Sequence, residues 1–103
     1  MTDFIRVASL SELPERQPVR ADYNGTAIAL VRTGDQVHAV SDLCTHADAS
    51  FCDGGYVDGD FIVCPLHFAS FRLTDGEAGD PPADDPLQVF EVKVDGDDVL
   101  VRS

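Results

Sequence analysis

Apolar and polar positions alternate along this chain in short runs, and no stretch carries a convincing helical period. Eight runs rich in Val, Ile and Phe read as β-strands: Asp3–Ala8, Val19–Tyr23, Thr26–Arg32, Gln36–Ser41, Asp60–Val63, Ser70–Arg72, Val89–Val94 and Asp98–Arg102. Gly, Asp, Asn and Pro bound them. Asn24-Gly25, Gly34-Asp35, Asp58-Gly59 and Asp95-Gly96 read as hairpin turns. Turns at this spacing predict an antiparallel all-β sandwich or barrel. Ser9–Glu15 is long enough for one helical turn. Residues 75–86, with three prolines and four aspartates, read as a loop rather than a linker, because a strand pair follows.

The length of 103 residues suits one domain with one core, residues 1–103, and is too short for two. No apolar run approaches the roughly 20 residues of a membrane span. Met1-Thr2-Asp3-Phe4 lacks the basic and apolar regions of a signal peptide, so the expected location is the cytoplasm. A formal net charge of −12 and a pI near 4.2 argue against nucleic acid and against anionic membrane surfaces. The same charge would steer the chain toward basic patches on partner proteins, at rates that salt reduces, besides keeping it soluble.

Candidate chemistry is concentrated in two short motifs, Cys44-Thr45-His46 and Cys64-Pro65-Leu66-His67, separated by the 17 residues 47–63. Each offers one thiolate and one imidazole from a loop next to a predicted strand, where rigid strands position the ligands and the loop tip stays accessible. Structural zinc sites also use two cysteines and two histidines, but with two to four residues between the cysteines and three to five between the histidines. Here each half is mixed, with one residue between Cys44 and His46 and two between Cys64 and His67. The mixed pairs fit a [2Fe–2S] centre in which histidines replace cysteines on one iron. Two ferric ions, two sulfides and two thiolates sum to zero charge. Adding an electron to that neutral centre costs less than adding one to a dianionic four-thiolate cluster, which raises the potential.

On these residues the chain resembles the Rieske-type ferredoxins, specifically the ferredoxin component of bacterial aromatic-ring-hydroxylating dioxygenases. The resemblance runs from Val40 to Val101. It includes Cys44 to Ala49, Gly55-Tyr56-Val57-Asp58-Gly59-Asp60, Cys64-Pro65-Leu66-His67 and Gly79-Asp80-Pro81-Pro82-Ala83. It implies a Rieske-like antiparallel β-sandwich with a small cluster-binding subdomain, about residues 43–83, made of two loops. Cys44 and Cys64 would bind the inner iron of one [2Fe–2S] cluster. His46 and His67 would bind the outer iron and pass electrons through their exposed edges, and the Pro81-Pro82 loop would cover a third side. The implied role is a non-catalytic, monomeric one-electron carrier between a flavin-containing NAD(P)H-dependent reductase and a terminal oxygenase. A small Rieske subunit of another redox enzyme, such as a nitrite-reductase-like complex, is the alternative, and a structural zinc module a more distant one.

Departures from the respiratory members of the family refine this expectation. Those proteins have cysteines, forming a disulfide, where this chain has Ala49 and Leu66. They have Ser and Tyr hydroxyls where it has Ala69 and Phe71. Fewer donors stabilise the reduced cluster less, so the expected potential lies at the low end of the Rieske range, roughly −150 mV. Phe68 stands where many relatives have Gly and would shield the cluster or shape the docking surface. Ser70 is expected to face solvent or cap the turn, and Cys52 to be an ordinary loop residue. His38 is read as a structural or surface strand residue, and Asp84-Asp85 as a solvated loop.

Overall fold

A computed structural model describes residues 4–42, 50–52, 54–65, 69–77 and 87–102. Nine strands lie among them: β1 (Ile5–Ser9), β2 (Val19–Tyr23), β3 (Thr26–Thr33), β4 (Gln36–Ser41), β5 (Tyr56–Asp58), β6 (Phe61–Val63), β7 (Ser70–Arg72), β8 (Val89–Asp95) and β9 (Asp98–Arg102). The helical turn expected within Ser9–Glu15 is a 3-10 turn at Leu10–Glu12. All strand pairs are antiparallel, as expected.

The strands form a six-stranded sheet in the order β1-β9-β8-β4-β3-β2 and a three-stranded sheet in the order β5-β6-β7. Inner positions of the large sheet, among them Ile28, Leu30, Ala39, Phe90, Val99 and Val101, enclose one core with Leu13 and Tyr23. The alternate positions Ala29, Val31 and Val40 face the other way and join Phe51, Ile62, Cys64, Phe71 and Leu73 in a second core beneath the small sheet. Strands β3 and β4 are therefore a wall shared by two cores. Because successive side chains point to opposite faces, both faces of Ile28–Val31 are apolar and buried.

Three turn and strand expectations need correction. Asn24 and Gly25 both have positive φ, 51° and 86°, and link Tyr23 to its partner Thr26, as their identities predict. The pairs Asp58↔Phe61 and Asp95↔Asp98, however, put the turns at Gly59-Asp60 and Gly96-Asp97, one residue later than expected. Glycine takes the first central position in each, with φ of 60° and 62°, and the aspartate before it ends the strand. That shift also exposes an unpredicted strand, β5. Tyr56-Val57-Asp58 is too short to show alternation by itself and is defined by its pairing with β6. Asp60, expected to open the strand Asp60–Val63, lies in the turn.

Candidate metal centre

Cys64 is the one expected ligand among the described residues. Cys44, His46 and His67 lie outside them, as do Ala49, Leu66, Phe68, the Pro81-Pro82 segment and Asp84-Asp85. Among the described residues no group of three or more His, Cys, Asp or Glu could hold a metal ion. The anchors of the loops that carry these residues are well defined, and each of three loops is closed at its neck.

The neck of the first loop, 43–49, is a buried carboxylate. Asp42, 1% exposed, directly follows β4, with its N–H bonded to Ala27 O at 3.2 Å. Its backbone oxygen accepts the Phe51 N–H at 2.9 Å, so the chain returns beside its own departure point. Its Oδ2 accepts from Ser50 Oγ at 2.5 Å and from Arg20 Nε at 3.0 Å, and its Oδ1 from the Cys52 N–H at 3.2 Å. Arg20 Nη2 also donates to Ser50 Oγ at 2.6 Å. Burial opposes ionisation of Asp42, but the hydrogen bonds from Ser50, Cys52 and Arg20 outweigh it, and the carboxyl is held below the usual range.

The neck of the second loop is a backbone bond. Cys64 N donates to Ala69 O at 2.7 Å, directly after β6 and before β7. Cys64 is fully buried against the second core. The chain after the first loop lies against this base. A Cβ on Gly55 would sit 2.5 Å from Phe51 O and 2.8 Å from Val63 O, so no larger residue fits.

The third loop, 78–86, is closed by Leu87 N donating to Gly76 O at 2.7 Å, while Gly76 N donates to Arg72 O at 2.7 Å. Gly76 has φ of 75°, and a Cβ there would lie 1.9 Å from Leu87 O. Arg72 fastens the outside of the turn through Asp75 at 3.0 Å and through Glu77.

Ala69 and Phe71 are fully buried, Phe71 edge-to-face with Phe51 at a centroid distance of 5.8 Å. Ser70 is a correction: it is 8% exposed rather than facing solvent, at the start of β7 opposite Val63. Cys52 is half-buried and donates its backbone N–H to Asp42. His38 lies on β4, 3.4 Å from Thr33 Oγ1. Burial lowers its pKa, with Asp60 pulling the other way. It is structural, as expected. The clasp of Arg20, Asp42 and Ser50 was not predicted. An acid two residues before Cys44 was its faint signal, whereas Arg20, two strands away, gave none.

The charge that remains is acidic. Arg6, Arg20, Arg72 and Arg102 are ion-paired, with Asp98, Asp42, Asp75 and Glu77, and Glu91 respectively, so much of the small positive complement is neutralised in place. Among the described residues no helix is long and apolar enough to cross a membrane.

Two antiparallel sheets, with Cys64 buried at the end of β6, define a small all-β protein. Residues 3–91 match the family model of the Rieske [2Fe–2S] domain, and the chain belongs to that family. It is 33% identical over 98 residues to the biphenyl dioxygenase ferredoxin subunit of Pseudomonas sp. (strain KKS102), covering 95% of this chain and 90% of that one. The ferredoxin of carbazole 1,9a-dioxygenase from Nocardioides aromaticivorans IC177 superposes with a TM-score of 0.90 at 36% identity, with 97% of each chain covered. A ferredoxin bound to reduced oxygenase in a carbazole 1,9a-dioxygenase complex gives 0.86 at 36% identity, covering 95% and 91%. The cofactor is a Rieske-type [2Fe–2S] cluster, and the chain is an electron-transfer component rather than a catalyst. Two thiols and two imidazoles on the first two loops are the donor set this cluster requires, and the buried position of Cys64 suits the less exposed iron.

Proposed function

We propose that Cys44 and Cys64 hold one iron of the cluster and His46 and His67 the other. On this reading the protein takes single electrons from an NAD(P)H-dependent flavin reductase and delivers them to a terminal ring-hydroxylating oxygenase. When bound, the cluster supplies one reversible electron at modest potential. The chain's residues supply two thiolates, two imidazoles, and loops held rigid at their necks. The observation that carries the reading is Cys64: fully buried, at the end of β6, with its loop closed by its own N–H. The ferredoxin–oxygenase complex known for a relative at 36% identity supports the acceptor. A monomeric cytoplasmic carrier fits the acidic charge of −12, which favours brief, salt-sensitive encounters with basic partner surfaces.

The test is reconstitution. The purified protein is expected to be reddish brown, to give a Rieske EPR signal when reduced, and to lose both in Cys64→Ser and His67→Ala. Its potential is expected near −150 mV, and a value above about +100 mV would contradict the missing donors at Ala69 and Phe71. Reduction by the reductase should slow as salt rises, because exposed charges are screened within about 10 Å at 0.1 M. Electrons should reach the oxygenase only when the ferredoxin is present. Copurification with a large enzyme and no exchange between partners would instead indicate a fixed subunit.

A further inference from the structure

Arg20 stands far from the ligand motifs in sequence, on β2 at the edge of the large sheet. Its guanidinium nevertheless makes two bonds into the neck of the first ligand loop, to Asp42 Oδ2 and to Ser50 Oγ. Asp42 is all but inaccessible, and Ser50, Cys52 N–H and Arg20 together satisfy both of its oxygens. A buried carboxylate held this completely is a rigid joint, and one that loses a partner is left with an uncompensated charge. Two peptide units reach at most about 7 Å, so Asp42 Cα lies within that distance of Cys44 Cα whatever path the loop takes. An ion pair thus lies within two residues of a proposed ligand of a centre whose charge changes from zero to −1 on reduction.

We propose that Arg20, Asp42 and Ser50 form a clasp that positions the Cys44–His46 loop, and that the two charges of the clasp bias the reduction potential in opposite directions. These are positioning residues, since none needs to touch the cluster. The inference rests on the ligand assignment of Cys44 and His46. Arg20→Gln removes the positive charge, leaves Asp42 uncompensated and disfavours the anionic reduced form. Asp42→Asn removes the negative charge and favours it. Arg20→Lys keeps the charge but not the two-point fork. Ser50→Ala removes one strut and no charge.

The experiment measures the midpoint potential of each holoprotein by mediated titration, together with the rate of cluster loss to a chelator. Far-UV circular dichroism checks the fold. Arg20→Gln is expected to lower the midpoint and Asp42→Asn to raise it, each by roughly three- to tenfold in the redox equilibrium. A tenfold change corresponds to about 59 mV for one electron. The double variant Arg20→Gln/Asp42→Asn should return close to the parent value. Arg20→Lys should keep the parent midpoint. Cluster loss should quicken several-fold in all of these and in Ser50→Ala. Shifts of the same sign in both single variants, or unchanged midpoints and loss rates, would overturn the clasp. Should Asp42→Asn fail to take up cluster, the Arg20→Gln and Arg20→Lys pair still decides the sign and Ser50→Ala the positioning. Failure of the ligand assignment looks different: Cys44→Ser and His46→Ala would then retain the parent spectrum, whatever the clasp variants do.

Discussion

The two ends of this molecule keep their shape by different means. In the six-stranded sheet, position is enforced many times over. Each strand is bonded along its length, and its inner side chains interlock in a core of Ile28, Leu30, Phe90, Val99 and Val101. At the end that carries the proposed ligand loops, the small sheet has strands of three residues, and the described residues that flank those loops are joined by a few bonds. These are the bonds to a carboxylate with three donors, the bond from Cys64 N to Ala69 O, and the bond from Leu87 N to Gly76 O. A distributed structure tolerates local change. A structure held at points is sensitive there and indifferent elsewhere.

The largest effect should come from Phe71→Ala, which empties the second core beside Phe51 and should cost about 3–5 kcal/mol by chemical denaturation. A shift of the midpoint at constant slope is the expected signature. A paired glycine experiment sharpens the contrast between the two ends. Gly76→Ala combines positive φ with a Cβ driven onto Leu87 O, and should cost roughly 3 kcal/mol or more. Gly34→Ala, in a hairpin turn of the large sheet with positive φ and nothing within 4 Å, should cost only about 1–2 kcal/mol. Equal costs would dissolve the distinction between pinned necks and ordinary turns. Ser50→Ala should follow at about 1–2 kcal/mol, the hydroxyl being one of several groups on Asp42.

The smallest effect concerns His38 on the shared wall. Burial holds its folded pKa below the unfolded value of 6.5, so the native state binds fewer protons in that range. Its contribution is therefore present above pH 6.5 and is lost as pH falls from there through the lowered folded pKa. His38→Gln should flatten the decline in stability between neutral and mildly acidic pH. An unchanged slope would mean that other groups set it.

The large sheet was legible because alternation and turn chemistry report it directly. Its strands Val19–Tyr23, Gln36–Ser41 and Asp98–Arg102, and Ser70–Arg72 of the small sheet, stand where the pattern of apolar residues puts them, and Asn24-Gly25 forms the hairpin its identities require. The Asp-Gly turns slipped by one because either the pair itself or glycine with its successor can occupy a two-residue loop, and only cross-strand register decides. Three-residue β5 had no periodicity to detect. The class of cofactor was legible from the Cys and His spacing, since that chemistry is local. The clasp was not, because Arg20 and Asp42 meet through the β2–β3 pairing and the chain path at the end of β4, and no short-range pattern encodes that meeting.

The double burial of Ile28–Val31 has a consequence for how the protein comes apart. A strand lined on both faces by different cores cannot be surrendered by one of them alone. Opening the second core would strip Ala29 and Val31, and opening the large sheet would strip Ile28 and Leu30, along the same four residues. The amide protons of β3 should accordingly exchange with solvent only through global unfolding, at one common rate, while those of β5 and β7 exchange sooner by local opening. In such a molecule, β5 and β7 can open by themselves, but the two cores are lost together, through β3.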